Sequence, residues 1–201
     1  MNAPDTWHRG DWMQTFTGRQ FYPLDPRSED VDIVDIAHAL SMLCRYNGHV
    51  QRFYSVAEHC VHLSHAVAPE HALWALLHDA TEAYVGDMIR PLKRSIPEYV
   101  AVEDVVMAAI ATRFNLFVTH WTKRQTSPFE GRMLPAMPPE VKAADTAILL
   151  NEREALLSEP PRPWSTDGGR LDVVIEAWDP ARAKYEYLAR FSELCEAAAG
   201  G

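Results

Sequence analysis

The sequence predicts an all-α domain, a bundle of amphipathic helices, with one short β-hairpin near its start. Three observations lead there. Apolar residues recur at three- and four-residue intervals through successive stretches of the chain. Only "MQTFTGRQFY", Met13 to Tyr22, has an alternating character. Breakers such as Asn47-Gly48, Pro69, Pro91 and Pro97 fall between the periodic stretches. With 201 residues, 47% of them hydrophobic, the chain suits one globular domain, and it contains no internal repeat. Its core is expected over about 13–157, with a closing helix over 180–199.

The elements follow in order. Thr17-Gly18 is the turn of the hairpin, and "DPRSED" is the loop after it. From Val31 the apolar positions Ile33, Ile36, Ala37, Leu40 and Leu43 take helical spacing, with Asn47-Gly48 as the stop. Ser55 caps the next helix, and Glu58 three places on completes a capping box. That helix carries Val56, Cys60, Val61, Leu63 and Val67 and breaks at Pro69. Glu70 to Tyr84 reads as one helix with Leu73, Leu76 and Leu77 inward, and "GDMIRPLKRSIP" as a loop. Glu98 to Phe114 is helical, Val118 to Pro139 an irregular connection, and Glu140 to Leu157 a long amphipathic helix. After the loop "SEPPRPWSTDGG", Pro180 opens a last helix to Ala199, and its aromatic stripe suits core packing or a subunit contact.

The net charge of −9 argues against a nucleic-acid polymer as partner, because an acidic surface repels a phosphate backbone. It leaves room for a small phosphate ester, since a bound cation and a few basic groups reverse the sign inside a cleft. No run is long enough to cross a bilayer, and the N-terminus lacks a basic segment followed by an apolar one. The three cysteines, Cys44, Cys60 and Cys195, are widely separated and form no CxxC. They are expected to be reduced and mostly buried in a cytoplasmic protein.

One stretch stands out, "LLHDATEAYVGD" from Leu76 to Asp87. His78 and Asp79 sit at the end of an apolar run, where neither core nor solvent calls for them. Adjacent helical residues point about 100° apart, so the two can share an ion only if other helices complete its shell. His59 supplies one such donor. Asp145 supplies another, from a helix where Ala143, Ala144, Ala147 and Ile148 surround it, and such a carboxylate needs a partner or a cation. Two imidazoles and two carboxylates suit Mn²⁺, Fe²⁺, Co²⁺ or Ni²⁺, with Zn²⁺ and Mg²⁺ also compatible. His62 and His65 follow His59 at three-residue steps but are read as solvent-facing or supporting side chains.

"FYSVAEH", "LLHDATEAYVGD", "PLK" and "KAAD", in that order, resemble the HD-domain metal-dependent phosphohydrolases, and most of all their small bacterial and phage branch of 5′-deoxynucleotidase-like enzymes. The resemblance covers Met13 to Glu152 and implies an HD-type helical bundle. It implies that His59, His78, Asp79 and Asp145 bind the metal. It further implies that Glu82 handles protons of the attacking water and that Asp87 orients that water or a ribose. Arg45 resembles the arginine that meets the substrate phosphate, and Lys93 the lysine near it. Tyr46 stands where relatives carry tryptophan, and His49 is a further donor to a phosphate oxygen. The resemblance also implies subunit association as a homodimer or higher oligomer.

The expected reaction is release of phosphate from a (deoxy)nucleoside 5′-monophosphate. The same ligand set also serves hydrolysis of a dNTP to nucleoside and triphosphate. A third reading, of another class, is a non-catalytic metal-containing nucleotide sensor.

Overall fold

The computed structural model describes residues 8–116, 118, 121–123, 133–164 and 169–199. It is a mainly helical structure with a small two-stranded antiparallel hairpin at its N-terminal side. Strands β1 (Met13–Gln14) and β2 (Gln20–Phe21) pair Met13 with Phe21 and Gln14 with Gln20. Gly18, at φ +84°, makes the turn that an L side chain would resist. Asp35, buried on helix α1 (Ile33–Met42), accepts from both the backbone N–H (2.6 Å) and the hydroxyl (2.9 Å) of Thr17, tying the hairpin to the bundle.

Helix α2 (Val56–Ala66) lies at the centre and packs on α1, α3 (Pro69–Leu77), α7 (Pro139–Leu156) and α8 (Pro180–Ala199). Ile36, Leu40, Leu63, Leu76, Leu77 and Ile148 form the heart of the core, and each contributes about 1.5–3 kcal/mol by leaving water. Helix α8 crosses α1, α2 and α3. Its Tyr187 is fully buried, with the hydroxyl donating to the Leu76 carbonyl at 2.8 Å. The C-terminal helix is therefore part of the same core, which also takes in Ile175, Trp178 and Ala183. Helix α6 (Pro97–Arg113) flanks this group beside two short helices, α4 (Glu82–Val85) and α5 (Arg90–Lys93).

Several elements differ from their sequence reading. The helix expected over Glu70 to Tyr84 is broken: α3 ends at Leu77, and α4 begins only at Glu82. Between them, Ala80 N–H bonds Leu77 O and Glu82 N–H bonds Asp79 O, three residues back, so the chain winds tighter than an α-helix. "GDMIRPLKRSIP" contains α5, with Pro91 in its first turn, where a missing N–H costs nothing. Helix α1 stops at Met42, before Asn47-Gly48, because Cys44 forms an extended bridge with Ser55. The connection over 118–139 holds a strand pair, β3 (Trp121–Lys123) with β4 (Met133–Pro135); residues 117, 119, 120 and 124–132 lie outside the described residues, as do 1–7 and 165–168.

The capping box at Ser55 is half formed. Ser55 Oγ accepts from Glu58 N–H at 3.1 Å. The Glu58 carboxylate instead accepts from the backbone N–H groups of Glu176, Ala177 and Trp178, at 3.2, 2.9 and 2.6 Å. Among the cysteines only Cys60 is buried; Cys195 is exposed. No helix among the described residues is long and apolar enough to cross a membrane.

Candidate metal centre

Helix α2 places His59 in its first turn, on the face turned fully into the core. At the tight turn after α3, His78 Nε2 and Asp79 Oδ2 lie 3.1 Å apart. From the opposite wall, α7 brings in Asp145.

The four donors converge. His59 Nε2 is 3.3 Å from His78 Nε2, 3.8 Å from Asp79 Oδ2 and 3.6 Å from Asp145 Oδ1. Two donors bonded at ~2.1 Å to one ion lie ~3.0 Å apart at a right angle and ~3.4 Å apart at a tetrahedral angle. The 3.1 and 3.3 Å spacings fall in this range and those of 3.6 and 3.8 Å lie a little beyond it, and His59, His78 and Asp145 form a buried group able to hold an ion.

The outer atoms of these residues fix which ring nitrogens face the centre. His59 Nδ1 lies 2.6 Å from Glu152 Oε1, and His78 Nδ1 lies 2.7 Å from the Ala75 carbonyl. Carboxylate and carbonyl oxygens only accept, so each Nδ1 carries a proton outward and the Nε2 of each ring is the atom turned to the centre. Two ring nitrogens and two carboxylates then gather inside the protein, an arrangement that positive charge, from a cation or from protons, offsets. In the bare protein the same demand falls on protons. Burial alone would lower the His78 pKa, yet the Asp79 carboxylate holds it well above the usual imidazole value. Burial would likewise raise Asp79 and Asp145, but His78 and His59 hold both below the usual carboxylate range.

Asp145 is steadied from outside by Arg90 (2.8 Å) and Lys142 (3.1 Å), both donating to Oδ2. Glu152 is fully buried seven residues beyond Asp145 on α7. It bonds His59 through Oε1 and, through Oε2, the Arg45 Nε and guanidinium NH2 (both 3.3 Å) and the Tyr46 hydroxyl (2.5 Å). Burial would raise this carboxyl, but Arg45 and His59 hold it down, to about 2. Arg45 also reaches Asp79 Oδ2 at 3.5 Å. Tyr46, Asn47 and Gly48 all take positive φ, a sharp reversal that lets Arg45 and Tyr46 reach the same carboxylate.

Of the other predicted residues, Glu82 is buried, and its Oε2 has no hydrogen-bond partner among the described residues. Burial, followed by the charges of Asp79 and Asp87, pushes its carboxyl well above the ordinary value. Asp87 is partly buried and its pKa is raised by desolvation, with Arg45 pulling the other way. Lys93 shares a cavity of about 280 Å³ with His78, Asp79 and Glu82, and its ammonium donates to Glu103 at 2.7 Å. His49 is not brought to the centre: its side chain is exposed, and its backbone N–H closes the turn on Tyr46 O. His62 bonds Glu58 at 3.3 Å and His65 is exposed, so neither takes part.

Sequence reasoning missed Glu152, Arg90 and Cys60. Seven-residue spacing puts Glu152 on the same helix face as Asp145, a signal that was present. Arg90, in a stretch read as a loop, offered none. Cys60 Sγ lies 3.9 Å from His78 Nδ1 and with His78 and Asp79 makes a second possible donor group. The first group is the better one, because His78 Nδ1 is engaged by Ala75 and burial raises the Cys60 thiol pKa.

No model of a known protein family matches the chain. Two curated relatives do. The chain is 35% identical over 190 residues to the uncharacterized protein YfdR of Escherichia coli (strain K12), spanning 92% of this chain and 96% of that one. It is 36% identical over 206 residues to the uncharacterized protein RCAP_rcc00048 of Rhodobacter capsulatus, spanning 94% and 98%.

Proposed function

We propose that this chain, which belongs to the family of YfdR and RCAP_rcc00048, is an HD-type metal-dependent phosphohydrolase that releases phosphate from (deoxy)nucleoside 5′-monophosphates. The observation that carries this reading is the convergence of two imidazole nitrogens and two carboxylates, with His59 Nε2 3.3–3.8 Å from the other three donors and His78 Nε2 3.1 Å from Asp79 Oδ2. His59, His78, Asp79 and Asp145 would hold the ion. Mixed nitrogen and oxygen donors favour Mn²⁺, Fe²⁺, Co²⁺ or Ni²⁺, with Zn²⁺ next and Mg²⁺ the weakest match to imidazole. A divalent ion supplies Lewis acidity there, acidifying water and drawing charge from a phosphoryl oxygen.

The chain's own residues suit the remaining work. Glu82 Oε2, buried and without a hydrogen-bond partner among the described residues, is an atom at which a proton would be held and traded with water or the leaving 5′ oxygen. Asp87, beside it, suits orienting water or a sugar hydroxyl. The Arg45 guanidinium, fixed from behind by Glu152, suits stabilising charge on the phosphoryl group as it is transferred. Lys93 adds a positive group in the cavity that His78, Asp79 and Glu82 line.

One observation favours a second reading, dNTP triphosphohydrolysis. Arg90 and Lys142 are about half exposed at the outer oxygen of Asp145, and would give a longer phosphate chain two further cations. Incubation with dNMPs and dNTPs in Mn²⁺ or Co²⁺, followed by chromatography, separates the readings. Phosphate from dNMP supports the first, and intact triphosphate from dNTP supports the second. A nucleotide-dependent rise in melting temperature with no product over hours would replace both with a sensor.

A further inference from the structure

We infer that Glu152 is a positioning residue that makes the phosphate-facing arginine and the metal ligand His59 a single unit, so that metal affinity and phosphate affinity rise and fall together through it. The inference rests on the proposed phosphohydrolase reading and adds a residue that reading does not require.

The geometry is specific. Glu152 divides its two oxygens between two tasks: Oε1 takes the His59 Nδ1 proton at 2.6 Å, and Oε2 takes Arg45 and the Tyr46 hydroxyl. A carboxylate that only filled space would need one partner at most, and a surface acid none. Here the carboxylate is fully buried and takes hydrogen bonds from His59, Arg45 and Tyr46. Its position on α7, two turns beyond Asp145, means that one helix both supplies a ligand and orients a ligand held by α2. Arg45 closes the circuit by reaching Asp79 Oδ2 at 3.5 Å. Any shift of Glu152 moves His59 and Arg45 at once.

A carboxylate behind a histidine ligand fixes the ring's tautomer and orientation and raises its basicity, and losing such a partner costs about 10–100-fold in metal affinity. Glu152→Gln keeps the size but must turn an N–H₂ donor toward either His59 or Arg45. The test is calorimetric titration of the purified full-length protein with Mn²⁺ alone, then of the Mn²⁺-loaded protein with inorganic phosphate. For Glu152→Gln at an unchanged circular-dichroism spectrum, the expected result is Mn²⁺ binding weaker by about 10–100-fold and phosphate binding weaker as well, even at saturating Mn²⁺. Tyr46→Phe removes one anchor of Oε2 and is expected to weaken both by about 3–5-fold, the size of one lost hydrogen bond. This second variant tests the coupling even if Glu152→Gln does not fold. Loss of Mn²⁺ affinity with unchanged phosphate affinity, or no change in either variant, would overturn the coupling. A wild-type protein that binds no Mn²⁺ at all would instead remove the proposed function.

Discussion

The Glu58 carboxylate holds the strap over 176–178 against the helix that carries His59, and its removal should be costly in a calculable way. Glu58 is fully buried and accepts three backbone N–H groups. A hydrogen bond to a charged group contributes about 1.5–3 kcal/mol. The bond from Trp178, at 2.6 Å, is buried and counts in full, whereas those from Glu176 and Ala177 are partly exposed and water can replace them. Counting those two at roughly half value, Glu58→Ala should lose about 3–6 kcal/mol. For a chain of this length that is a drop of roughly 6–24 °C in Tm. It also releases Ala177 from a positive φ that a β-carbon resists. Urea unfolding measures the loss, and hydrogen exchange at the 176–178 amides locates it. A loss under about 1 kcal/mol with those amides still protected would refute the reasoning.

Other outcomes follow from the same contacts. Asp79→Ala should abolish turnover and lower bound metal, whereas Glu82→Ala should keep the metal and lose about 10²–10⁴-fold in rate; elemental analysis beside a phosphate assay reads both, and a Glu82→Ala protein at full rate removes that residue from the chemistry. Glu152 titrates at about 2 in the folded state against an ordinary 4.5, so its stabilisation is present above about pH 4.5 and lost as pH falls toward 2. That difference corresponds to about 3 kcal/mol. In chelator-treated protein, Glu152→Gln should therefore flatten the acid limb of the stability curve, and an unchanged limb would contradict this. Gly86, at φ +81°, closes α4 with its N–H on Glu82 O at 2.9 Å. A β-carbon there meets no atom within 4 Å, so Gly86→Ala should cost only the backbone penalty of about 1–3 kcal/mol by urea unfolding; no measurable loss would count against the positive-φ cap.

The bundle and its hairpin were legible because periodicity reports which face of an element meets the core. Where the period does not change, it is blind. The tight turns at His78 to Thr81 keep the three-residue spacing of a helix, so the break between α3 and α4 does not alter the apolar pattern. Pro91 signals a loop and a helix start equally well, which hid α5 and with it Arg90. The four candidate ligands stood out because histidine and aspartate on apolar stretches need a reason. Glu152 did not, because between Asn151 and Arg153 a buried glutamate looks like any solvated acid on a long helix. Glu58 was noticed for the wrong partner: the capping box is a local rule, and a segment more than a hundred residues away offered its carboxylate three donors instead of one.

The most direct measurement is an anomalous-scattering experiment on crystals grown with Mn²⁺. The account predicts one peak, ~2.0–2.2 Å from His59 Nε2, His78 Nε2, Asp79 Oδ2 and Asp145 Oδ1 together. No peak there at millimolar Mn²⁺, or a peak that leaves out His59 or Asp145, would contradict the claim that α2, the turn after α3 and α7 build one metal centre.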